Sequence, residues 1–390
     1  MERHLDDGDR ATTTLEVRRD AIGEARVIVE PSVPGGLEPG QVRLRIDRFA
    51  LTANNITYAV FGDTLGYWDF FPTGDPSFGR VPAMGWATVI ESRADAISLG
   101  RRYYGWYPMS SHVVFTPIST KDGFRDGGTH RQAHASVYRA YVATDADPMY
   151  PKANYGTHDL ADGEDRHALL RGLFLTGYLA EEFFADGGGS GSRYFGAARV
   201  IVLCASSKTA IGFAQSAHFR GGIEVVGVTS PGNVEMVEKL GCYDRVVTYN
   251  AIDTVPTAGG AVSIDMAGAP GPLHAVHKRF GDDLAYSMTV GQSHHDAAPS
   301  TDTALLGPTP QMFFAPSEVR RRQEEWGRAD YTHRCAAAIR EFVDGSRSWM
   351  SVEHRIGADA VKAAWVDMHA GVIDPSLGTI AVVDAMPVSS

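Results

Sequence analysis

The stretch ARVIVLCASSKTAIGFAQSAHFRGGIEVVGVTSPGNVEMVEKLGCYDRVVTYNAID, residues 198–253, decides the fold. Runs of β-branched residues alternate in it with segments of helical periodicity, which is typical of a parallel sheet covered by helices on both faces. The predicted strands are Val200–Cys204, Glu224–Val228 and about Arg245–Thr248, and a helix is predicted over Asn233–Leu240. In such a sheet the first strand-to-helix turn presents backbone N–H groups and a helix N-terminus, which bind phosphate. The stretch therefore predicts an α/β, doubly wound dinucleotide-binding domain.

The residues that follow extend this pattern. Two further buried strands are predicted over Val262–Met266 and Leu284–Val290. A charged amphipathic helix is predicted over Ser317–Asp344, with a break near Gly327. The chain then reads as strand, helix and strand over about Met350–His354, Ala358–His369 and Gly378–Val383. These elements form a small C-terminal unit.

The N-terminal part of the chain has a different texture. Short alternating segments are separated by Gly and Pro, a pattern that predicts short, largely antiparallel strands. Examples are Gln41–Arg45, Ala87–Glu91, His112–Pro117 and Tyr138–Ala143. Helical spacing with an almost wholly apolar face predicts a buried helix over His167–Phe184, which bridges the β-rich part and the dinucleotide-binding part.

Composition limits the class of protein and its partners. The chain has 390 residues, enough for two domains with separate cores, and 44% of them are hydrophobic. Its formal net charge of -11 argues against nucleic acid or an anionic membrane as a partner. No apolar run approaches the roughly 18 residues that span a bilayer, and the charged N-terminus lacks the apolar core of a secretory signal.

The three cysteines, Cys204, Cys242 and Cys335, are widely spaced and form no CxxC pair. This spacing argues against a disulfide framework and against a cysteine-based zinc ribbon. We therefore expect a reducing, cytoplasmic location, with Cys204 packed as a small hydrophobic residue at the end of the first strand.

Five segments resemble the medium-chain dehydrogenase/reductase superfamily, in its zinc-free quinone/enoyl reductase branch. They are Phe49–Thr57 (FALTANNIT), Pro82–Glu91 (PAMGWATVIE), Ile97–Tyr104 (ISLGRRYY), Leu169–Ala180 and Leu377–Val383 (LGTIAVV). The usual Asn-Pro is replaced by Asn54-Asn55, the usual glutamate near Met84 is missing, and Thr379 stands where the family has lysine. The sequence is most similar to a bacterial family of such reductases whose function is unknown.

The resemblance implies the domain organisation. A GroES-like β-rich catalytic domain is expected over residues 1–165 and 320–390, and a Rossmann domain over 166–319. It also implies a homodimer that forms through the edge of the Rossmann sheet, and a small-molecule substrate.

The turn after the first strand carries the candidate phosphate-binding residues. Family members have several glycines here, so that the backbone approaches the pyrophosphate closely. This chain retains Gly212, expected to give close helix–strand packing, and offers the side chains of Ser206, Ser207, Lys208 and Thr209. The hydroxyl groups and the positive charge favour a phosphate-binding turn; the alternative is a turn that has lost its ligand and only connects two elements.

The end of the second strand bears on the choice of nucleotide. NAD-preferring Rossmann domains place an acidic residue there to hold the ribose 2′-hydroxyl. This chain has Thr229, Ser230 and Asn233 instead, which favours NADP(H) over NAD(H). Lys208 or Arg245 is expected to supply positive charge to the 2′-phosphate.

Metal ligands are not evident in the sequence. Zinc-dependent members of the superfamily require a cysteine ligand early in the catalytic domain. No cysteine precedes Cys204 in this chain, so no metal site is predicted. His130 and His134 have the spacing of helical ligands but lack a third, and we expect them to face solvent. The pair His294-His295 lies on a loop that the resemblance places near the nicotinamide, where it contacts cofactor or substrate or is simply surface.

The resemblance also implies candidates for the reacting end. In enoyl-thioester reductases a tyrosine shortly after the asparagine motif supplies a proton, and Tyr67 has the nearest spacing, with Tyr58 as the alternate. The opposing interpretation is that Tyr67 is aromatic packing. Asn54 is expected to orient the nicotinamide ribose or the substrate, and Thr176 to contact the nicotinamide.

Three hypotheses follow for the function. Aromatic residues are dense over 58–78 and 103–107, which favours an apolar or aromatic substrate; Arg101-Arg102 is either a basic channel for an acidic substrate or, more simply, a solvated turn. The first hypothesis is a zinc-independent, NADPH-dependent reductase of an activated C=C bond (enone, enoyl or quinone-like). The second is a carbonyl reductase or alcohol dehydrogenase on the same scaffold, and the third a non-catalytic NADP(H)-binding sensor.

Overall fold

The chain forms two compact units. The first comprises residues 1–169 and 350–390, and the second comprises residues 170–349. The computed structural model describes residues 11–31, 36–151, 159–291 and 305–384. The sequence had placed the return to the first unit at residue 320; the structure instead keeps residues up to Trp349 in the second unit.

The described residues contain these strands: β1 Thr12–Arg18, β2 Ala25–Glu30, β3 Val42–Leu51, β4 Phe78–Gly79, β5 Pro82–Ser92, β6 Arg102–Pro108, β7 His112–Phe115, β8 Pro117–Thr120, β9 Gly123–Asp126, β10 Ala140–Ala143, β11 Arg199–Leu203, β12 Glu224–Thr229, β13 Arg245–Thr248, β14 Ala261–Asp265, β15 Leu284–Thr289, β16 Gln311–Met312, β17 Ser351–Ile356 and β18 Leu377–Val382. Their α-helices are α1 Ala53–Val60, α2 Ser136–Arg139, α3 Leu160–Ala185, α4 Lys208–Arg220, α5 Val234–Lys239, α6 Pro270–Phe280, α7 Ala315–Trp326, α8 Arg328–Gly345 and α9 Ala358–His369. No helix in these ranges is long and apolar enough to cross a membrane.

The first unit is built on β-sheets. Its larger sheet runs β17-β18-β3-β5-β6-β10-β9-β8, with β7 also paired to β3, and its smaller sheet runs β2-β1-β4. The pairings are antiparallel except for β17 with β18. The predicted β-rich domain is thus confirmed, including its C-terminal strand, helix and strand.

The core of the first unit is rich in aromatic side chains. Large rings such as Trp365, Tyr103 and Phe124 are fully buried there, and Phe124 stacks on Tyr141 with ring centroids 4.8 Å apart. Aromatic pairs of this kind add about 0.5–1.5 kcal/mol beyond the area they bury. Much of the aromatic content between residues 58 and 141 therefore stabilises the unit.

Buried ion pairs join the first turns of α3 to the large sheet. Glu164 binds both Arg48 and Arg102, and the Asp165 carboxylate lies 3.0 Å from Arg48 Nε. His354 Nε2 lies 2.7 Å from the other Asp165 oxygen. Burial raises the pKa of Asp165, an effect that Arg48 opposes. A buried ion pair survives only when every charge is matched, so these first turns of α3 are integral to the first unit.

The second unit is a parallel six-stranded sheet in the order β13-β12-β11-β14-β15-β16. Numbered within the unit, this is 3-2-1-4-5-6, the order of a Rossmann domain. The α/β, doubly wound class predicted from residues 198–253 is therefore confirmed. The carboxyl ends of the strands form one edge of the sheet, and that edge carries the turn after β11.

A glycine breaks the last long helical segment of the second unit. Gly327 has φ 80 between α7 and α8, a left-handed backbone that glycine adopts without a steric penalty. The sequence predicted the break at this residue.

Candidate functional sites

The turn between β11 and α4 has the geometry of an anion site. Ser207 caps α4, and its Oγ accepts a hydrogen bond from Ala210 N over 3.2 Å. Lys208 and Thr209 are the first two residues of this 13-residue helix. The N-terminal turn of a helix carries unsatisfied N–H groups and a partial positive charge, and three of the predicted residues lie at this terminus. Residues 205–212 are called the nucleotide turn below.

Ser206 and Asn233 come together across the carboxyl edge of the sheet. Asn233 Nδ2 donates to Ser206 Oγ over 3.1 Å, which ties the loop after β12 to the nucleotide turn. The turn is fixed further because Ala205 N donates to Val228 O over 3.0 Å and Tyr243 Oη donates to Ala205 O over 2.8 Å. The nucleotide turn is thus held by neighbouring strands as well as by its own helix.

Thr229 ends β12 with an orphaned hydroxyl. The residue is 1% exposed, and its Oγ1 has no hydrogen-bond partner within the described ranges. A buried hydroxyl without a partner costs free energy, so a ligand group that reaches it would be stabilised. Ser230 follows directly and leads into the short turn that ends at Asn233. Both positions lie at the carboxyl end of β12.

Arg245 does not lie where the sequence prediction required. It begins β13, and its guanidinium pairs with Glu224 at the start of β12 (Nε–Oε1 3.4 Å). These are the amino ends of the strands, whereas the nucleotide turn lies at their carboxyl ends. The prediction that Arg245 supplies charge to a 2′-phosphate is therefore wrong, and Lys208 is the remaining candidate.

Gly212 packs against a helix, not against a strand as predicted. A Cβ at Gly212 would lie 3.0 Å from the Phe174 ring on α3, and a Cβ at Gly177 would lie 2.4 Å from the Thr209 carbonyl oxygen. The two glycines therefore let α3 and α4 touch through their backbones. Thr176 lies next to this contact and back-bonds to the Gly172 carbonyl (2.9 Å).

Sequence reasoning missed Asp265, which ends β14 at the same edge. Its Oδ1 accepts from Ala267 N (3.0 Å) and Gly268 N (3.1 Å), so it shapes the turn after the strand. Burial, helped by this carboxylate, raises the pKa of Cys204 to about 11. Cys204 has φ 58 at the end of β11 and remains a neutral thiol. Asp265 could have been found from the sequence, because it is an acidic residue at the end of an apolar strand.

In the first unit the three predicted catalytic residues come together. Tyr58 lies on α1 and Tyr67 begins a short 3-10 turn, Tyr67–Phe70; their ring centroids are 4.7 Å apart. Asn54, one turn before Tyr58 on α1, opposes the rise that burial causes in the pKa of the Tyr58 hydroxyl, and Trp106 Nε1 donates to that oxygen over 3.4 Å. Burial raises the pKa of both phenols above its ordinary value, so both are neutral proton carriers near pH 7.

The two asparagines of the motif have different tasks. Asn55 completes the capping box of α1, because its Oδ1 accepts from Thr52 N at the N-cap (2.7 Å); its Nδ2 donates to Pro82 O on β5 (2.9 Å). Asn55 is buried, whereas Asn54 is partly exposed. The structure therefore leaves Asn54 as the asparagine that is available to a ligand.

Tyr138 was not among the predicted site residues. Its hydroxyl lies 3.3 Å from that of Tyr67, and its ring meets Tyr67 edge-on at 5.8 Å. The alternation of residues had placed Tyr138 in a strand, but it lies on the short helix α2, and β10 begins only at Ala140. Tyr58, Tyr67 and Tyr138 are called the phenol cluster below.

His130 and His134 are not equivalent. His130 is exposed, as predicted, but His134 is partly buried and hydrogen-bonds through Nε2 to Gly66 O over 2.9 Å. The prediction of a solvent-facing His134 is therefore wrong. In the described part of the chain, no group of three or more His, Cys, Asp or Glu side chains is arranged to hold a metal ion. His294-His295 lies outside the described residues.

Arg101 and Arg102 are both neutralised. Arg101 pairs with Asp145 (3.0 Å), and Arg102 pairs with Asp47 (2.7 Å) and with Glu164. Arg102 is also partly buried and lies over the Trp86 ring at 5.3 Å. Neither arginine is an open cation, and only Arg101 belongs to a turn.

Solved structures with the same fold include three relatives of low sequence identity. CurA from Vibrio vulnificus, in complex with NADPH, has a TM-score of 0.59 at 11% identity and covers 96% of this chain and 100% of its own. A putative NADPH:quinone reductase from Mesorhizobium loti has a TM-score of 0.59 at 13% identity, covering 95% and 98%. A mutant enoyl thioester reductase from Candida tropicalis has a TM-score of 0.53 at 11% identity, covering 95% and 99%.

These likenesses show the fold over 95–96% of the chain. No curated protein shows significant sequence similarity to it. A family model described as "Protein of unknown function (DUF2855)" matches residues 49–374, most of the chain. The chain belongs to the DUF2855 family.

Proposed function

We propose that this protein is a zinc-independent oxidoreductase that uses NADPH to reduce an activated C=C bond of an enone, enoyl or quinone-like substrate. The observation that carries the proposal is the meeting of Asn54, Tyr58 and Tyr67 in the first unit. Buried neutral phenols next to an amide suit the protonation of a substrate better than they suit core packing alone.

NADP(H) is the proposed nucleotide because the nucleotide turn offers what a phosphate requires. The α4 N-terminus, the hydroxyls of Ser206 and Thr209 and the charge of Lys208 are all on that turn. The orphaned Thr229 hydroxyl and the absence of an acid in Thr229–Ser230 fit a 2′-phosphate. CurA, of the same fold, binds NADPH, and this supports the assignment.

In the proposed mechanism Tyr67 is the proton donor. A bound NADPH would supply a hydride to the substrate β-carbon. The π electrons then move toward the carbonyl oxygen as an enolate, and the Tyr67 O–H donates its proton to the α-carbon. The resulting phenolate takes a proton from water, so charge and atoms balance. General acids of this kind contribute about 10²–10⁴-fold to the rate. Thr176 on α3 is proposed to contact the nicotinamide.

The substrate is proposed to be uncharged and aromatic or apolar. The hydroxyls of the two candidate phenols contact neutral groups: Tyr138 lies against the Tyr67 hydroxyl, and Trp106 donates to the Tyr58 hydroxyl. Arg101 and Arg102, the cations that an acidic thioester would need, are occupied by carboxylates. A quinone or an aryl enone therefore suits the site better than a large anionic substrate.

A homodimer is proposed as the assembly. The sheet of the second unit ends at β16, whose residues Gln311 and Met312 are exposed. An exposed strand edge offers unpaired backbone groups to another strand. Light scattering of the purified chain checks this, and a monomeric mass would contradict it.

The first experiment is a thermal-shift titration with NADPH, NADP+, NADH and NAD+ side by side. A ligand at a hundredfold excess over its Kd stabilises the fold by about 2.7 kcal/mol. We expect stabilisation by the phosphorylated pair, then NADPH oxidation with naphthoquinone or benzylideneacetone as probe substrate. A shift from NADPH without oxidation of either probe would favour the sensor hypothesis, and no shift from any nucleotide would contradict all three.

A further inference from the structure

Residues 129–139, here called the clamp segment, hold residues 66–70, here called the Tyr67 turn. The clamp segment joins a 3-10 turn, Thr129–Arg131, to α2. It reaches the Tyr67 turn at its beginning, its middle and its end. Both segments belong to the first unit.

His134 fixes the beginning of the Tyr67 turn. Its Nε2 lies 2.9 Å from Gly66 O, and Gly66 has φ 71, a left-handed backbone just before Tyr67. A carbonyl only accepts, so His134 Nε2 carries the proton. Burial lowers the pKa of His134, although the Gly66 carbonyl opposes this effect, so the imidazole is neutral at pH 7 and its tautomer is set.

Arg131 fixes the end of the Tyr67 turn and the position of α2. It is 0% exposed and lies over the Phe70 ring at 4.3 Å. Its guanidinium donates to the carbonyl of Phe70, the last residue of the Tyr67 turn, and to the carbonyl of Tyr138 on α2. The carboxylate of Asp126 lies 3.7 Å away. Burying a guanidinium is costly, and here it ties together the two segments that carry Tyr67 and Tyr138.

Tyr138 contacts Tyr67 between the two points held by His134 and Arg131. Its hydroxyl is 3.3 Å from the Tyr67 hydroxyl, and its ring packs edge-on against Trp106 at 5.4 Å. While both phenols are neutral, either hydroxyl can donate across this contact. Once Tyr67 has given up its proton, its oxygen only accepts, and Tyr138 is then the donor.

We propose that Tyr138, held in place by Arg131, is a positioning residue whose hydroxyl fixes the Tyr67 oxygen and donates to it as the Tyr67 proton moves to the substrate, which stabilises the phenolate that forms. This inference rests on the proposed function, in which Tyr67 is the acid. Tyr138 is not itself required to touch the substrate. The phenol cluster is then an ordered pair of hydroxyls, with Tyr58 held separately by Asn54 and Trp106.

The test replaces Tyr138 by Phe and reads Tyr67 directly. Tyr67 is exchanged for 3-fluorotyrosine by site-specific incorporation, and its ¹⁹F chemical shift is followed against pH in both backgrounds. Loss of the donated hydrogen bond removes a stabilisation of the phenolate, so we expect the pKa at position 67 to rise in Tyr138→Phe. With naphthoquinone and NADPH, kcat should fall by about tenfold, the factor that corresponds to the free energy of one hydrogen bond, while KM changes little.

Tyr107→Phe is the matched control. Tyr107 is fully buried, and its hydroxyl donates to the Tyr103 carbonyl over 3.0 Å in the core of the first unit. It removes a buried phenol hydroxyl outside the phenol cluster, so neither the ¹⁹F titration nor kcat should move. An unchanged titration at position 67 in Tyr138→Phe, or an equal change in Tyr107→Phe, overturns the proposal. If the titration shifts but the unsubstituted protein oxidises no NADPH with any probe, the proposed function fails while the hydrogen-bond assignment stands.

Discussion

The nucleotide turn of the second unit and the phenol cluster of the first differ in how the chain builds them. The nucleotide turn is one continuous stretch, residues 205–212, so its residues are neighbours both in the sequence and in the structure. The phenol cluster takes Tyr58, Tyr67 and Tyr138 from three separate segments. The first is ordered by helix geometry and the second by packing. A single substitution should therefore damage either cofactor binding or proton transfer, but not both.

The largest effect is expected from Tyr67→Phe. Loss of a general acid should lower kcat by about 10²–10⁴-fold while NADPH stabilises the variant as well as it does the unsubstituted protein. Steady-state NADPH oxidation with naphthoquinone and a parallel thermal-shift titration measure the two properties. Tyr58→Phe is the comparison, because Tyr58 lies against Tyr67 but is held by Asn54 and Trp106. A larger loss in Tyr58→Phe than in Tyr67→Phe would exchange their roles.

An intermediate effect is expected from Gly177→Ala in the second unit. The new Cβ would lie 2.4 Å from the Thr209 carbonyl oxygen and 2.7 Å from Phe213 N, both backbone atoms. Overpacking of this kind costs about 1–3 kcal/mol, and about 2–4 °C of Tm per kcal/mol for a unit of this size. Because the nucleotide turn must move, affinity for NADPH should fall as well.

Gly345→Ala provides the control for this prediction. Gly345 is the exposed last residue of α8, its φ of -61 is helical, and nothing within 4 Å would meet its Cβ. Alanine is the better helix former by up to about 1 kcal/mol, so this variant should be neutral or slightly more stable. Equal Tm values for the two alanine variants would show that α3 and α4 do not require the close contact.

The smallest effect is expected from Ser207→Ala. Loss of an N-cap hydroxyl costs about 1 kcal/mol, and the hydrogen bond to Ala210 N disappears. Ser216→Ala in the same helix removes a hydroxyl that back-bonds to the Gly212 carbonyl (2.8 Å) and should be close to neutral. Thermal unfolding with and without NADPH measures both. A larger loss in Ser216→Ala would contradict the capping role.

The same contrast explains what the sequence predicts and what it does not. The strands from β11 to β15 were placed within one residue, because each is a local run rich in apolar or β-branched residues. The start of α3 was placed at His167, seven residues late, because LADGEDR has no apolar face. Those residues are ordered by ion pairs between Glu164, Asp165 and the large sheet, and hydrophobic periodicity does not detect such pairs.

Residues missed in the candidate sites share this cause. Tyr138 follows an alternating pattern but is drawn into α2, near Arg131, by contacts with residues about seventy positions earlier. Arg245 was assigned to the wrong edge of the sheet because spacing along the chain does not say which end of a strand a side chain occupies. Its partner, Glu224, identifies the amino end.

The ion pairs of α3 determine where this chain can be divided for expression. Arg48 and Arg102 are neutralised by Glu164 and Asp165, which precede the boundary at Leu169. A fragment of the first unit that stopped before Leu160 would leave the partly buried Arg48 guanidinium without its carboxylates and Arg102 with Asp47 alone; removing one partner of a buried ion pair costs about 3–5 kcal/mol. A fragment meant to fold alone therefore includes α3 through Leu169, joined by a short linker to the segment that begins at Met350.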